Sequence, residues 1–390
     1  MPKNKKHFEL TILGCSGGPI SGKTCSFLIK PTDINYNSIL NGDNDSFLAI
    51  DAGTGLSAIV DILKACENDS YLKSSYLLDL YSNPTSNGEK SVSDLISTYI
   101  NTKNLSLTTP FDKINFKNQS HFQIGDKLLN SINAYLITHS HLDHVSSLII
   151  NSPAFTQPKK VFGLNSTIDS IKDNLFNSLV WPDLVSMGIV SLNPIQNNKI
   201  NNNISKRYEV TPFKISHGIK SGDERYISTA FLLNDTKFDY SILFFGDVET
   251  DLISNCNYNL IIWKYIAPMI LQDKFSSIII ECSTIDKPPP LFGHMIPSYL
   301  IYELTVLRKI CIDSKDESIK LKNLKANDPL YINATYQPLQ DLNVIIIHVK
   351  ETLEDVNPRY LILNKLNELN KEFNLKINFT VALSGLSFVL

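Results

Sequence analysis

Leu136-Ile137-Thr138-His139-Ser140-His141-Leu142-Asp143-His144 places four side chains able to bind a metal within six residues, directly after an apolar run. Imidazole nitrogens and carboxylate oxygens, with no thiolate among them, are the ligand set of a catalytic zinc or a similar borderline ion. In an extended segment His139 and His141 project to the same side, because side chains alternate with period two. Once the chain turns, Asp143 and His144 point elsewhere, so one segment can serve two ions. Four later positions carry the same signature: Ile215-Ser216-His217-Gly218, Phe244-Phe245-Gly246-Asp247, Phe292-Gly293-His294 and Ile346-Ile347-His348. Each puts a His or Asp where an apolar run ends, or beside a glycine that lets backbone approach a site closely. A lone strand-end histidine is usually a satisfied core residue. These four gain weight because the dense group needs partners. His7 and His121, the other two of the eight histidines, lie in polar surroundings and are expected at the surface.

The elements that must deliver these residues are short β runs with interleaved helices. Strands are expected over Phe8–Leu13, Ser26–Ile29, Phe47–Ile50, Ile132–Ile137, Val210–Ile215, Ile227–Leu233, Ser241–Phe245, Ser277–Ile280 and Val344–Ile347. Asp51-Ala52-Gly53-Thr54 reads as a strand end and helix cap, and Leu56, Ile59, Val60 and Leu63 then share one helical face. Further helices are expected near Val145–Ile150, Ser166–Leu179, Leu260–Leu271, Pro297–Ile310 and Arg359–Phe373. The stretch at about 66–131 is polar, with one short helical pattern around Leu95–Ile100, and is expected as an insertion or surface excursion. Asn197–Asn203 and Asp313–Asn327 are expected as loops. No repeat of 20–50 residues recurs. The pattern is that of a mixed α/β protein, read as a single domain over 1–390.

Composition narrows the function. The chain has 390 residues and a net charge of −3, from 36 Lys+Arg against 39 Asp+Glu, so nothing favours a polyanion-coating protein. A 43% hydrophobic content excludes wholesale disorder. The longest apolar candidate, Asn259–Leu271, is interrupted by Lys264 and is too short to span a bilayer. Glu9 and the turn at Gly14-Cys15-Ser16-Gly17-Gly18-Pro19 leave no apolar core for a secretion signal. The six cysteines (15, 25, 66, 256, 282 and 311) show no CxxC spacing and suit reduced, mostly buried thiols in a cytoplasmic protein. Gly17-Gly18-Pro19-Ile20-Ser21-Gly22-Lys23-Thr24 matches GxxxxGK[ST], but a phosphate-binding loop needs a helix starting at the Lys-Thr. The residues that follow, Cys25-Ser26-Phe27-Leu28-Ile29, are β-like, so a glycine-rich hairpin connection is expected instead.

HxHxDH after a hydrophobic strand resembles the metallo-β-lactamase superfamily. The longer stretch from His139 through Val145, Ser146, Ser147, Leu148, Ile149, Ile150 and Asn151 to Ser152-Pro153 is similar to the signature of class II cyclic-nucleotide phosphodiesterases, the fungal low-affinity enzymes. The resemblance spans the chain, from Gly14–Pro19 and Asp51 to Ser216-His217-Gly218, Gly246-Asp247, Gly293-His294 and His348-Val349-Lys350. It implies a four-layer αβ/βα sandwich with two divalent ions, expected as zinc, at one edge of two sheets. By the same resemblance His139, His141 and His217 hold one ion, Asp143, His144 and His348 the other, and Asp247 bridges. His294 is then the catalytic histidine beside the site, acting with Asp143, and Asp51 supports the ligand loop. His294 and His348 end similar segments and are open to exchange; Val344–Ile347, the stronger buried strand, favours His348 as ligand.

The implied activity is hydrolysis of 3′,5′-cyclic nucleotides, cAMP and cGMP, to 5′-nucleotides by a metal-bridged hydroxide, which ends cyclic-nucleotide signalling. The expected partner is the cyclic nucleotide, without nucleic acid or membrane; a homodimer is compatible with the sequence. Two ions less Asp143, Asp247 and one hydroxide leave a site of about +1, suited to a phosphodiester of −1. The alternative is an RNA 3′-end processing metallonuclease with the same ligands, which should present a basic docking surface. A non-enzymatic binding module would have lost ligands, and none is missing. Trp181-Pro182 and the aromatics near Phe292 offer stacking surfaces for a base, with burial in the core the more common fate.

Overall fold

The computed structural model describes residues 6–67, 81, 97–353 and 356–390. Fourteen strands lie among the described residues. They are β1 (Phe8–Gly14), β2 (Ser26–Pro31), β3 (Leu48–Ile50), β4 (Ser106–Thr108), β5 (Ala134–Leu136), β6 (Lys159–Gly163) and β7 (Val190–Pro194). The chain continues with β8 (Tyr208–Ile219), β9 (Arg225–Asp235), β10 (Tyr240–Phe245), β11 (Phe275–Glu281), β12 (Asn343–Ile347), β13 (Asn378–Val381) and β14 (Ser387–Val389). They form an eight-stranded sheet, β4-β14-β1-β2-β3-β5-β6-β7, and a six-stranded one, β13-β12-β11-β10-β9-β8. Side chains from both sheets, such as Phe27 and Phe244 with ring centroids 4.7 Å apart, fill the space between them.

Helices Leu56–Glu67, His121–Ser131, Leu142–Asn151 and Asn165–Asn174 cover the outer face of the first sheet, over Leu28, Ala49, Tyr135 and Val161. Helices Tyr258–Leu271, Pro297–Asp313 and Pro358–Glu372 cover the second. The layers are therefore αβ/βα. No described helix is long and apolar enough to cross a membrane.

Register brings the strand ends of interest to one edge. β10, β11 and β12 are parallel neighbours, with Phe244 opposite Ile279 and Glu281 opposite Ile347, and their Ile/Phe-rich sequences suit burial on both faces. Parallel pairing makes their carboxyl ends coincide, so Asp247, Glu281 and His348 emerge together. In the first sheet β3 and β5 are likewise parallel, Ile50 opposite Leu136, which sets Asp51 beside the Thr138–His139 turn.

Several expectations are corrected. The helix expected over Ser166–Leu179 ends at Asn174; beyond it the Asn177 side chain accepts from the amides of Leu179 and Val180, and Ser178 sits at φ 64°. Such side-chain capping competes with helix continuation. Asp313–Asn327 contains a helical turn, Glu317–Lys320, capped by Asp316. His7 is buried, stacked on Phe238 at 4.1 Å, rather than at the surface, while His121 is half-buried. Of the stretch 66–131, the described part carries β4, paired with β14, and helix His121–Ser131, started by a Ser120/Gln123 capping box. Of the helical pattern around Leu95–Ile100, Leu95 and Ile96 lie outside the described residues, and residues 97–99 are helical. After Gly22-Lys23-Thr24 no helix begins: Ser16 bridges Thr24 and β2 follows, as expected of a hairpin connection.

Candidate metal centre

Asp51 is the pivot of the ligand loop. Its carboxylate accepts from the Thr138 amide at 2.8 Å and the Thr138 hydroxyl at 2.9 Å, and its Oδ2 lies 2.8 Å from His144 Nδ1. Three bonds from one buried side chain thus fix where β5 ends and how the His144 ring is turned. His141 then stands at the N-terminal boundary of helix Leu142–Asn151, which carries Asp143 and His144 in its first turn.

All the sequence-identified residues converge here. Ligand atoms of His139, His141, His217 and Asp247 lie within 4.8 Å of one another, and so do those of Asp143, His144, Asp247 and His348. Asp247 is common to both groups. Its carboxylate is 3.8 Å from His139 Nε2, 3.6 Å from His217 Nε2, 3.3 Å from His144 Nε2 and 3.1 Å from His348 Nε2. Asp143 Oδ2 is 3.2 Å from His348 Nε2 and 3.6 Å from His144 Nε2.

The opposite ring nitrogens are tied back. His139 Nδ1 meets Thr138 Oγ1 at 3.0 Å, His217 Nδ1 the Gly293 carbonyl at 2.8 Å, and His348 Nδ1 Ser283 Oγ at 2.9 Å. Holding one nitrogen so that the other faces a shared centre is how proteins orient metal-binding histidines. Two of the inward nitrogens, His139 Nε2 and His144 Nε2, are buried and make no hydrogen bond. Each such unmet group costs about 1–3 kcal/mol. Divalent cations relieve that cost, so the residues present fit such ions.

Electrostatics points the same way. Burial, with neighbouring imidazoles adding to it, drives His139 well below its ordinary pKa and His141 to about 4. Burial also lowers His217, so these three offer neutral lone pairs. For His144 burial is overcome by Asp247 and Asp51, which raise it well above its usual value; a metal there would have to displace a proton. Despite burial, His348 and His144 hold Asp247 well below the carboxylate range, and the hydrogen bond from His348 does the same for Asp143.

His294 stands beside this centre with a different partner. Its Nδ1 is 3.1 Å from both oxygens of Glu281, and against the effect of burial this carboxylate raises its pKa. Ser283 Oγ hydrogen-bonds Glu281 as well as His348 Nδ1. Sequence reasoning missed Glu281, although Ile278-Ile279-Ile280-Glu281 repeats the strand-end signature of Asp247. It also missed the Cys25 sulfur, which lies with the His144 and His348 nitrogens inside the same 4.8 Å span.

Two glycines are demanded by close approach. A Cβ on Gly17 would strike the His348 imidazole, and one on Gly293 would strike the His217 backbone. The glycine loop that mimics a phosphate-binding motif is therefore packing against a candidate ligand. Of the two proposed stacking surfaces, Trp181 is half-buried with its indole N–H on Ser152 Oγ. Phe292 is 76% exposed, so its core reading is overturned.

Residues 48–385 match the family described as cAMP phosphodiesterases class-II. A 3′,5′-cyclic-nucleotide phosphodiesterase of Candida albicans is 35% identical, aligned over 98% of this chain and 100% of its own length. 3′,5′-Cyclic-nucleotide phosphodiesterase 1 of Saccharomyces cerevisiae is 30% identical, over 97% and 98%. The crystal structure of unliganded yeast PDE1 superposes with a TM-score of 0.79 at 28% identity, covering 99% of this chain and 100% of that one.

Proposed function

The chain belongs to the class-II cAMP phosphodiesterases, and on that premise we propose how it hydrolyses 3′,5′-cyclic nucleotides, cAMP and cGMP, to 5′-nucleotides at a two-ion centre. His139, His141 and His217 would hold one divalent ion, and Asp143, His144 and His348 the other, with Asp247 between them; zinc suits this nitrogen and oxygen set. The observation that carries the reading is the sharing of Asp247 by two four-residue groups. When bound, such ions polarise phosphoryl oxygens and bring the pKa of a water near 7.

The protein's own residues then divide the remaining work. Asp51 fixes the loop and the His144 tautomer through its three hydrogen bonds. Water adds to phosphorus through its oxygen and gives up one proton as the P–O3′ bond breaks; O3′ takes a proton from a donor, which the proton given up by water restores. His294 is placed to be that donor: Nδ1 is committed to Glu281, which leaves Nε2 for the leaving group and favours the protonated ring. The product is a 5′-nucleotide with a free 3′-hydroxyl.

Both sheets contribute to the one centre, which supports treating the chain as a single catalytic domain. Six free cysteines support a reducing, cytoplasmic setting. The net charge of −3 offers no support for an RNA-docking surface and hence none for an RNA-processing role. Elemental analysis tests the two-ion reading: protein purified without chelator should carry two divalent ions per chain. A single ion that persists after metal supplementation would refute it.

A further inference from the structure

Five histidines meet at the proposed two-ion centre, and four have their second nitrogen engaged by an oxygen. Asp51, Thr138, the Gly293 carbonyl and Ser283 serve His144, His139, His217 and His348 respectively. His141 is the exception. It is exposed where the other four are buried, and its Nδ1 faces His217 Nε2 at 3.3 Å, within the ligand cluster itself. No oxygen acceptor among the described residues sets the plane of this ring.

An aromatic face lies against it instead. The Tyr226 ring lies stacked on His141, centroids 4.5 Å apart and planes 20° from parallel. It meets His139 and His217 edge-on, at 5.9 Å and 5.6 Å. Its hydroxyl is 3.2 Å from Ser140 Oγ, which donates to Ser170 Oγ at 2.8 Å in the helix beside the loop. The preceding side chain is held too: the Arg225 guanidinium donates to the Glu249 carboxylate, which also accepts from the hydroxyl of Ser216, the neighbour of His217. The ring thus arrives with the strand pair that carries His217, anchored at both ends.

We propose that Tyr226 is the positioning residue for His141, its ring face replacing the hydrogen bond that orients each of the other histidines. This rests on the two-ion reading above. An offset or parallel ring contact fixes a plane well, and loss of an orienting partner typically costs ~10–100-fold in metal affinity.

The test is a chelator competition on the full chain loaded with cobalt(II), read by visible absorption as each ion leaves. Tyr226→Leu should release one ion about 10–100-fold more readily and leave the other unchanged. Tyr226→Phe, which keeps the ring, should hold both within about threefold of wild type. Tyr226→Met serves should Tyr226→Leu fail to fold, judged by melting of the chelated proteins. Wild-type affinity for both ions in the ring-less variants would overturn the proposal. So would a loss in Tyr226→Phe as large as in Tyr226→Leu, since the hydroxyl would then be the active part. Uptake of fewer than two cobalt ions by the wild type would instead sink the two-ion reading beneath it, and is seen before any variant is compared.

Discussion

Asp247→Ala is expected to lose both divalent ions and to reduce cyclic-nucleotide turnover by ~10²–10³-fold or more, the scale of removing a preorganised charge from a reacting centre. The carboxylate lies within 3.1–3.8 Å of ring nitrogens from four of the five candidate histidine ligands. Its removal would deprive both proposed ion sites at once and takes from His144 one of the two charges that raise its pKa. Elemental analysis of the purified variant, set beside its melting curve, separates loss of metal from loss of fold. A folded variant that keeps two ions would show that Asp247 is not shared.

His294→Ala should behave differently. Two complete four-residue groups exist without it, so ion content should stay at the wild-type level while kcat and kcat/KM fall together, by ~10²–10⁴-fold for a lost general acid. KM should change little, because the proton is needed as the P–O3′ bond breaks rather than when substrate binds. Loss of one ion from this variant would mean that His294 and His348 have exchanged roles. The distances favour His348: its Nε2 is 3.2 Å from Asp143 and 3.1 Å from Asp247, whereas His294 Nδ1 is 3.1 Å from Glu281 and 3.8 Å from Asp247.

How much of this could be read before the structure follows from what each feature depends on. The candidate ligands were legible because they cluster just after an apolar strand or lie at or near the end of one, and polar atoms at that depth need a reason to be there. The β10–β12 core was legible from unbroken Ile and Phe runs. Less accessible were β6, β7, β13 and β14, which are short, include Lys159, Lys160, Asn193, Asn378 and Ser387, and exist because a neighbouring strand pairs with them. Helix His121–Ser131 carries Gly125 at its contact with Val60, so periodicity alone understates it; the Ser120/Gln123 capping box was its usable signal. Glu281 went unremarked because a glutamate ending a strand is ordinary until a histidine is found against it. Tyr226 carried no signal in sequence, since its proposed role arises from two rings, one on β9 and one on the loop after β5, that meet only across the two sheets.

The most direct test is to give the purified, metal-replete protein 3′,5′-cyclic AMP in ¹⁸O-labelled water and identify the product by mass spectrometry. Attack of water on phosphorus with departure of O3′ predicts 5′-AMP bearing one ¹⁸O in its phosphate, formed by wild type and lost in Asp247→Ala. Formation of 3′-AMP, or inertness toward cyclic nucleotides together with trimming of a precursor tRNA, would contradict the account.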